Sequence, residues 1–299
     1  MKPDLSISQI LSSSDRPLLS YEFFPPKTEK SEANLMRAID GLRKTEPDFV
    51  TVTYGAGGST QEKTLRIATA LKDSGMGPVM PHLTCVGSSQ EELKEIAQNF
   101  YQLGFRNIMT LRGDPPHGDE TFVPAADGLA HANELVELLK GESAEFCCGV
   151  AGNPEDHPES PSSESDLKFL KNKVDAGGDF ITTQLFFDNQ IFFDWVKRCR
   201  DAGISVPILP GLLPASSLKQ LERFTKLCGS SFPDELRDKM NAVGGDGPEA
   251  EEVGRLWCLQ QIQELIDYGV DGIHLYILNQ EKQTLTQPAM ELVRSAPAV

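Results

Sequence analysis

The sequence predicts a single (β/α)8 barrel, and three observations carry that expectation. Short apolar, β-rich runs recur at roughly thirty-residue intervals and number eight. Each is followed by a helical pattern bounded by its own start and stop signals. No Gly-rich dinucleotide turn follows the first strand, which disfavours an open doubly wound sheet and leaves a two-domain α/β protein as the alternative.

In chain order, residues 1–16 form an N-terminal extension, and LLSYEFF (18–24) is the first strand, ended by Pro25 and Pro26. The second, DFVTVTYG (48–55), leads into GAGGST (55–60), where Ser59 and Glu62 suit a capping box ahead of Leu65, Ala68 and Leu71. After the third, PVMPHLTC (78–85), Ser89 and Glu92 repeat that signal before the stripe Leu93, Ile96, Ala97, Phe100 and Leu103. NIMTLRG (107–113) and EFCCGVAG (145–152) follow, the latter opening a polar, proline-rich loop at 153–166. DFITTQLFF (179–187), VPILPGLL (206–213) and GIHLYILN (272–279) complete the set, with extra helices and a GGDG break (244–247) between the last two. Glycines 104, 177 and 203 fall where helices should stop. Nothing marks a domain boundary, so 1–299 reads as one barrel domain.

The runs are mostly continuous apolar stretches, as strands covered on both sides should be. At 39% hydrophobic and 24% charged the chain is globular. A net charge of −16 argues against nucleic acid as the partner and requires any anionic ligand to be held by a few local cations and helix N-termini. The six cysteines form no C-x-x-C pair, and Cys147 and Cys148 should point to opposite faces of their strand. They read as buried small hydrophobes, and a metal site is disfavoured. No segment has signal-peptide or bilayer-spanning character, so a cytoplasmic protein without membrane contact is expected. The helix around 253–266 serves as core or as interface, and a homo-oligomer is the expectation.

Barrel active sites lie at the C-terminal ends of the strands. Those ends offer Glu22, Thr53, Tyr54, His82, Thr84, Arg112, Asp114, Gln184, Asp188, Tyr276 and Asn279. By alternation Ser20 and Glu22 share a face, as do Thr110, Arg112 and Asp114, and Thr182 and Gln184. Each taken singly is as readily a satisfied structural group, and Arg112–Glu22 could be an ion pair closing the barrel top. Together they would be costly to bury without a ligand. GAGGST lacks the lysine of a phosphate-binding Walker loop and is equally a plain βα turn.

The motifs YEFFPPK, VTYGAGGS, PHLTC, LRGDPP, ITTQLFFD and LPGLLP occur in that order. Together they resemble the methylenetetrahydrofolate reductases of the short bacterial type, over about residues 18–280. The resemblance implies a TIM barrel holding FAD. It also implies reduction of 5,10-methylenetetrahydrofolate to 5-methyltetrahydrofolate by NADH or NADPH, with the two substrates using one mouth in turn. Glu22 matches the family's general acid, and its carboxyl is expected to be raised and protonated near neutral pH. Asp114 matches the acidic residue beside flavin and pterin. FAD positions implied are Thr53, Tyr54, Ala56, His82, Arg112, Gly113, Asp114, Ala132, His157, Asp166 and Lys173. Substrate positions implied are Glu22, Gln184, Gln220, Phe224 and Tyr276. Asn153 stands where relatives often have an aromatic residue, and Gln280 where they can have arginine. Two other readings stay open: a flavin- or folate-binding subunit needing a separate electron-donor partner, and a non-flavin barrel lyase.

Overall fold

The structure, a computed structural model, describes residues 4–26, 28–54, 61–115, 121–280 and 283–297. Its strands are β1 (Leu18–Phe23), β2 (Phe49–Val52), β3 (Val79–Thr84), β4 (Asn107–Leu111), β5 (Cys147–Gly152), β6 (Phe180–Thr183), β7 (Ile208–Leu209), β8 (Gly211–Leu212) and β9 (Gly272–Tyr276). Helices α1 (Ile7–Ser13), α2 (Glu29–Leu42), α3 (Gln61–Asp73), α4 (Gln90–Gln102), α5 (Ala132–Glu142) and α6 (Ser163–Asp175) alternate with the first six strands. The rest are α7 (Asn189–Asp201), α8 (Leu218–Cys228), α9 (Asp234–Ala242), α10 (Gly247–Tyr268) and α11 (Gln283–Ser295).

All pairings in this sheet are parallel, in the order β7-β6-β5-β4-β3-β2-β1-β9-β8. The expected run VPILPGLL is one barrel strand in two halves, split at Pro210: β7 pairs with β6 and β8 with β9. Proline has no N–H to extend a ladder, but its carbonyl accepts from the His274 N–H at 2.9 Å, and the Gly211 N–H donates to Thr183 Oγ1 at 2.9 Å. A Cβ on Gly211 would stand 2.3 Å from the Thr183 carbonyl oxygen, so only glycine fits this seam. The nine segments are thus the eight strands of a nearly closed (β/α)8 barrel.

Alternation sorts side chains into two layers. Leu18, Phe49, Met80, Met109, Cys147, Phe180 and Leu209 meet inside the floor, where α1 inserts Ile7. Cys148, Ile108, Val150 and Ile181 face outward into the larger core under the helices, so the two adjacent cysteines do lie on opposite faces. At the floor, acceptor side chains take up backbone N–H groups of neighbouring segments. Asp48 accepts from Leu19 at 2.8 Å, Asp179 from Cys148 at 2.6 Å, Asp271 from Ile208 at 3.1 Å and Asn107 from Ile7 at 2.8 Å. Every such pairing removes the cost of a stranded donor.

The expected caps form where they are described. Ser89 and Glu92 make a reciprocal capping box on α4, and Leu93, Ile96, Ala97 and Phe100 are its buried stripe. Gly104, Gly177 and Gly203 take positive φ just after α4, α6 and α7. GAGGST, with Ser59, lies outside the described residues. The additional helices α8, α9 and α10 enclose a separate small core with Leu185, Leu213, Leu221, Leu236 and Met240, beside the mouth. Among the described residues no helix is long and apolar enough to cross a membrane.

Candidate active site

The inner face of β1 carries Ser20 and then Glu22, one layer above the floor. Register sets Glu22 opposite Thr51 on one side and Tyr276 on the other, and Ser20 opposite His274. As a result Glu22 Oε2 lies 3.5 Å from Nε2 of both His82 and His274, and 3.5 Å from the Thr51 hydroxyl. Neither Nε2 atom makes a well-directed hydrogen bond, and the inward Thr182 hydroxyl also lacks a partner; all three are buried. On its other edge His274 contacts Ser20 Oγ through Nδ1 at 2.8 Å, and that hydroxyl donates to the Ile273 carbonyl at 3.3 Å. The Tyr276 ring meets His274 edge-on, and its hydroxyl donates to the Thr183 carbonyl at 2.7 Å.

Burial opposes ionisation of Glu22, yet His274, His82 and Thr51 together outweigh it and hold the carboxyl below its ordinary value. The expectation of a raised, protonated carboxyl is therefore corrected: desolvation is present, but two histidines face the same oxygen. Burial drives His82 down to about 4; Glu22 pulls it back in part, and His274 pushes it further down. The Tyr276 phenol is raised well above its usual value by burial, then by the charges of Glu22 and of Cys228. Cys228, in turn, is pushed up to about 11 by burial and by Asp114. The exposed Asp114 lies within electrostatic reach of Cys228 at the end of α8.

A second string of polar groups runs along the mouth from β4 to β6. Arg112 was expected to share an inward face with Thr110. Instead Met109 and Leu111 point inward, and Thr110 and Arg112 take the helix side. Arg112 Nη1 lies 2.6 Å from Glu159 and forms no pair with Glu22. The Glu159 N–H donates to His157 Nδ1 at 3.2 Å; the His157 N–H and the Ser160 hydroxyl donate to Asp166 at 3.2 and 2.7 Å. Lys173 donates to the Ala151 carbonyl, and burial lowers it to about 8 against the opposing pull of Asp166. Gly113 holds φ 88°, and a Cβ there would come within 2.5 Å of Val86.

The remaining candidates are spread around the rim. Thr53 donates its N–H to the Phe23 carbonyl at 2.8 Å, and burial raises the Tyr54 phenol. Ala132 begins α5. Gln184 uses Oε1 on the Leu185 N–H at 2.9 Å, and Gln220 uses its own on the Ser216 N–H at 2.7 Å. Phe224 packs half-buried on the small core beside the mouth. Ala56 lies outside the described residues. At the end of β9, Leu278 and Asn279 both take left-handed φ, near 51° and 55°, held by reciprocal bonds between the Asn279 amide and the Phe24 peptide at 2.7 and 3.0 Å.

These residues suit a planar, anionic cofactor. Among the described residues, the buried Nε2 atoms of His82 and His274 and the Thr182 hydroxyl lack a well-directed hydrogen bond, a glycine allows close backbone approach, and Arg112, His157 and Lys173 gather basic groups in an otherwise acidic chain. Sequence reasoning set Ser20 on the face of Glu22 but missed His274 as a member of the cluster. The signal was present in alternation, since His274 stands two places before Tyr276 and Ser20 two places before Glu22.

A family model described as methylenetetrahydrofolate reductase matches residues 6–287. Methylenetetrahydrofolate reductase (NADH) 1 of Arabidopsis thaliana is 37% identical over 276 residues, covering 89% of this chain and 47% of its own. The chain thus spans about half the length of the plant relatives it matches. The 5,10-methylenetetrahydrofolate reductase of Escherichia coli (strain K12) is 37% identical over 266 residues, covering 89% of this chain and 88% of that one. Among solved structures, an uncharacterized Clostridium thermocellum protein that binds two copies of 5-methyl-5,6,7,8-tetrahydrofolic acid superposes with a TM-score of 0.66. It is 17% identical and covers 96% of this chain and 97% of its own, a likeness of fold.

Proposed function

The chain belongs to the methylenetetrahydrofolate reductase family, and from that premise we propose that it reduces 5,10-methylenetetrahydrofolate to 5-methyltetrahydrofolate with FAD at the barrel mouth. NADH or NADPH is the electron donor, and donor and folate occupy the mouth in turn. When bound, FAD supplies two-electron storage between them. The observation that carries this reading is the group of inward polar atoms around Glu22, buried but left without full hydrogen bonding.

The chain's own residues divide the work. Arg112, Lys173 and the backbone around Gly113 would hold the anionic cofactor, together with His82, Thr53, Tyr54, His157 and Asp166. Gln184, Gln220 and Phe224 line the side where the nicotinamide and the pterin enter. Opening the folate's five-membered ring breaks a C–N bond and leaves its electron pair on N10, which must be protonated. Glu22, half-buried and aimed into the mouth, carries that proton. Asp114, exposed just beyond β4, supplies a negative charge that favours the cationic iminium that results.

Anaerobic titration of purified, FAD-loaded protein with NADH, then NADPH, then methylenetetrahydrofolate tests the reading. The flavin band should bleach with a nicotinamide and return with the folate. Protein that binds no FAD, or bound flavin that neither nicotinamide bleaches, would overturn it.

A further inference from the structure

Arg112 has an odd partner for a residue that is to hold an anion. Of the three basic groups on the cofactor side, it alone carries a permanent charge. His157 accepts the Glu159 N–H through Nδ1 at 3.2 Å, so that nitrogen has no hydrogen to donate. Lys173 is committed to the Ala151 carbonyl, and burial lowers it to about 8. The one full charge nevertheless faces a carboxylate. Arg112 Nη1 lies 2.6 Å from Glu159 Oε2, while its Nε donates to the Gly113 carbonyl at 3.2 Å.

Backbone geometry places that carboxylate. Asp156 takes φ 64°, a left-handed conformation that a non-glycine residue keeps only where its surroundings enforce it. The Ser160 N–H donates to the His157 carbonyl at 2.8 Å, and the buried Asp166 accepts from the His157 N–H and the Ser160 hydroxyl. These bonds close a turn over residues 157–160 with Glu159 as its third residue. Hydrogen bonding from Arg112 holds the Glu159 carboxyl below its ordinary value. The Glu159 side chain is still 49% exposed, and pairs open to water on this scale are weak and exchange readily. In a chain of net charge −16, a fixed carboxylate on the one full cation opposes any further anion.

We propose that Glu159 is a built-in competitor for the cofactor: its carboxylate occupies Arg112, yields to the cofactor's phosphate oxygens, and so sets how tightly FAD is held. This rests on the flavin reading above. No covalent bond changes; a carboxylate pair on the guanidinium is exchanged for a phosphate pair, and the released carboxylate turns to the water it already meets. Arg112 also lies over the Phe122 ring, 5.2 Å from its centre, which steadies the guanidinium while its partner changes.

The test compares the affinity of flavin-free protein for FAD and for riboflavin, which has the same ring system without phosphates, by quenching of flavin fluorescence. Glu159→Gln should bind FAD about five-fold tighter and riboflavin no tighter. Glu159→Asp, which keeps the charge, should stay within about two-fold of the parent for FAD. The gain in Glu159→Gln should shrink as salt is raised. Arg112→Gln should weaken FAD binding, and adding Glu159→Gln to it should bring no gain. Unchanged or weaker FAD binding in Glu159→Gln, an equal gain for riboflavin, or a gain that persists without Arg112 overturns the proposal. Parent and Glu159→Gln proteins that both bind no FAD would count against the flavin reading instead. The pairing is then read from the protein alone, by the rate at which phenylglyoxal modifies Arg112, followed by peptide mass spectrometry. Faster modification in Glu159→Gln supports the competition, and an unchanged rate overturns it.

Discussion

At the floor of the barrel Leu18, Phe49, Met80, Met109, Cys147 and Phe180 pack together. Two residues further along the same strands, on the same inner face, stand Ser20, Thr51, His82, Leu111, Gly149 and Thr182. One step up each strand converts an apolar plug into a layer where three buried polar atoms go unpartnered. The floor also ties off its strand ends, with Asp48, Asp179 and Asp271 each accepting a neighbouring strand's N–H. Folding free energy is gathered below, and the layer above can keep groups that would be costly in any other place. Floor and mouth substitutions should therefore separate stability from activity.

The largest effect expected is on activity. Glu22→Gln should slow folate-driven re-oxidation about 1,000-fold, while nicotinamide bleaching falls far less. Normal folate turnover in that variant would remove Glu22 from the acid role. On the opposite side, Phe180→Ala should cost about 3–5 kcal/mol of stability by leaving a cavity beside Phe49 and Met80, read as a lowered urea midpoint.

A third effect crosses the boundary. His82 titrates near 4 when folded and near 6.5 when unfolded. The unfolded chain thus binds the extra proton first, and the stability this histidine contributes is full above about pH 6.5 and lost as pH falls toward 4. Between pH 7 and pH 4.5 the loss is about 2 kcal/mol. Denaturant melts at pH 7 and pH 4.5 should show it, and His82→Gln should flatten it. Smallest and opposite in sign is Thr182→Val, which deletes a hydroxyl that has no partner. It should stabilise the flavin-free protein by about 1 kcal/mol in a thermal melt. Destabilisation of that size would mean the mouth is as well satisfied as the floor.

Periodicity made the fold legible. Eight apolar runs with caps at Ser89 and stops at Gly104, Gly177 and Gly203 suffice to place strands and helices. Alternation also put Glu22 inside. It misled at Arg112, because the parity of β4 is set by Met109 and Leu111 in the core, and the charged residue beyond them follows the strand outward to Glu159. The depressed Glu22 carboxyl was not legible either. It depends on cross-strand register, which brings β3 and β9 against β1 and which no local pattern encodes.

Pro210 shows how far such register reaches. Its carbonyl fixes which amide of the last strand it receives, and Gly211 has no room to shift past Thr183. Were the closing strand to slide by one position, Ile273 would turn inward and the imidazole would be carried to the helix side. The chemistry proposed for the centre is thus written partly in a hinge that bears no reactive group, and a fault there would abolish it while leaving every residue around Glu22 intact.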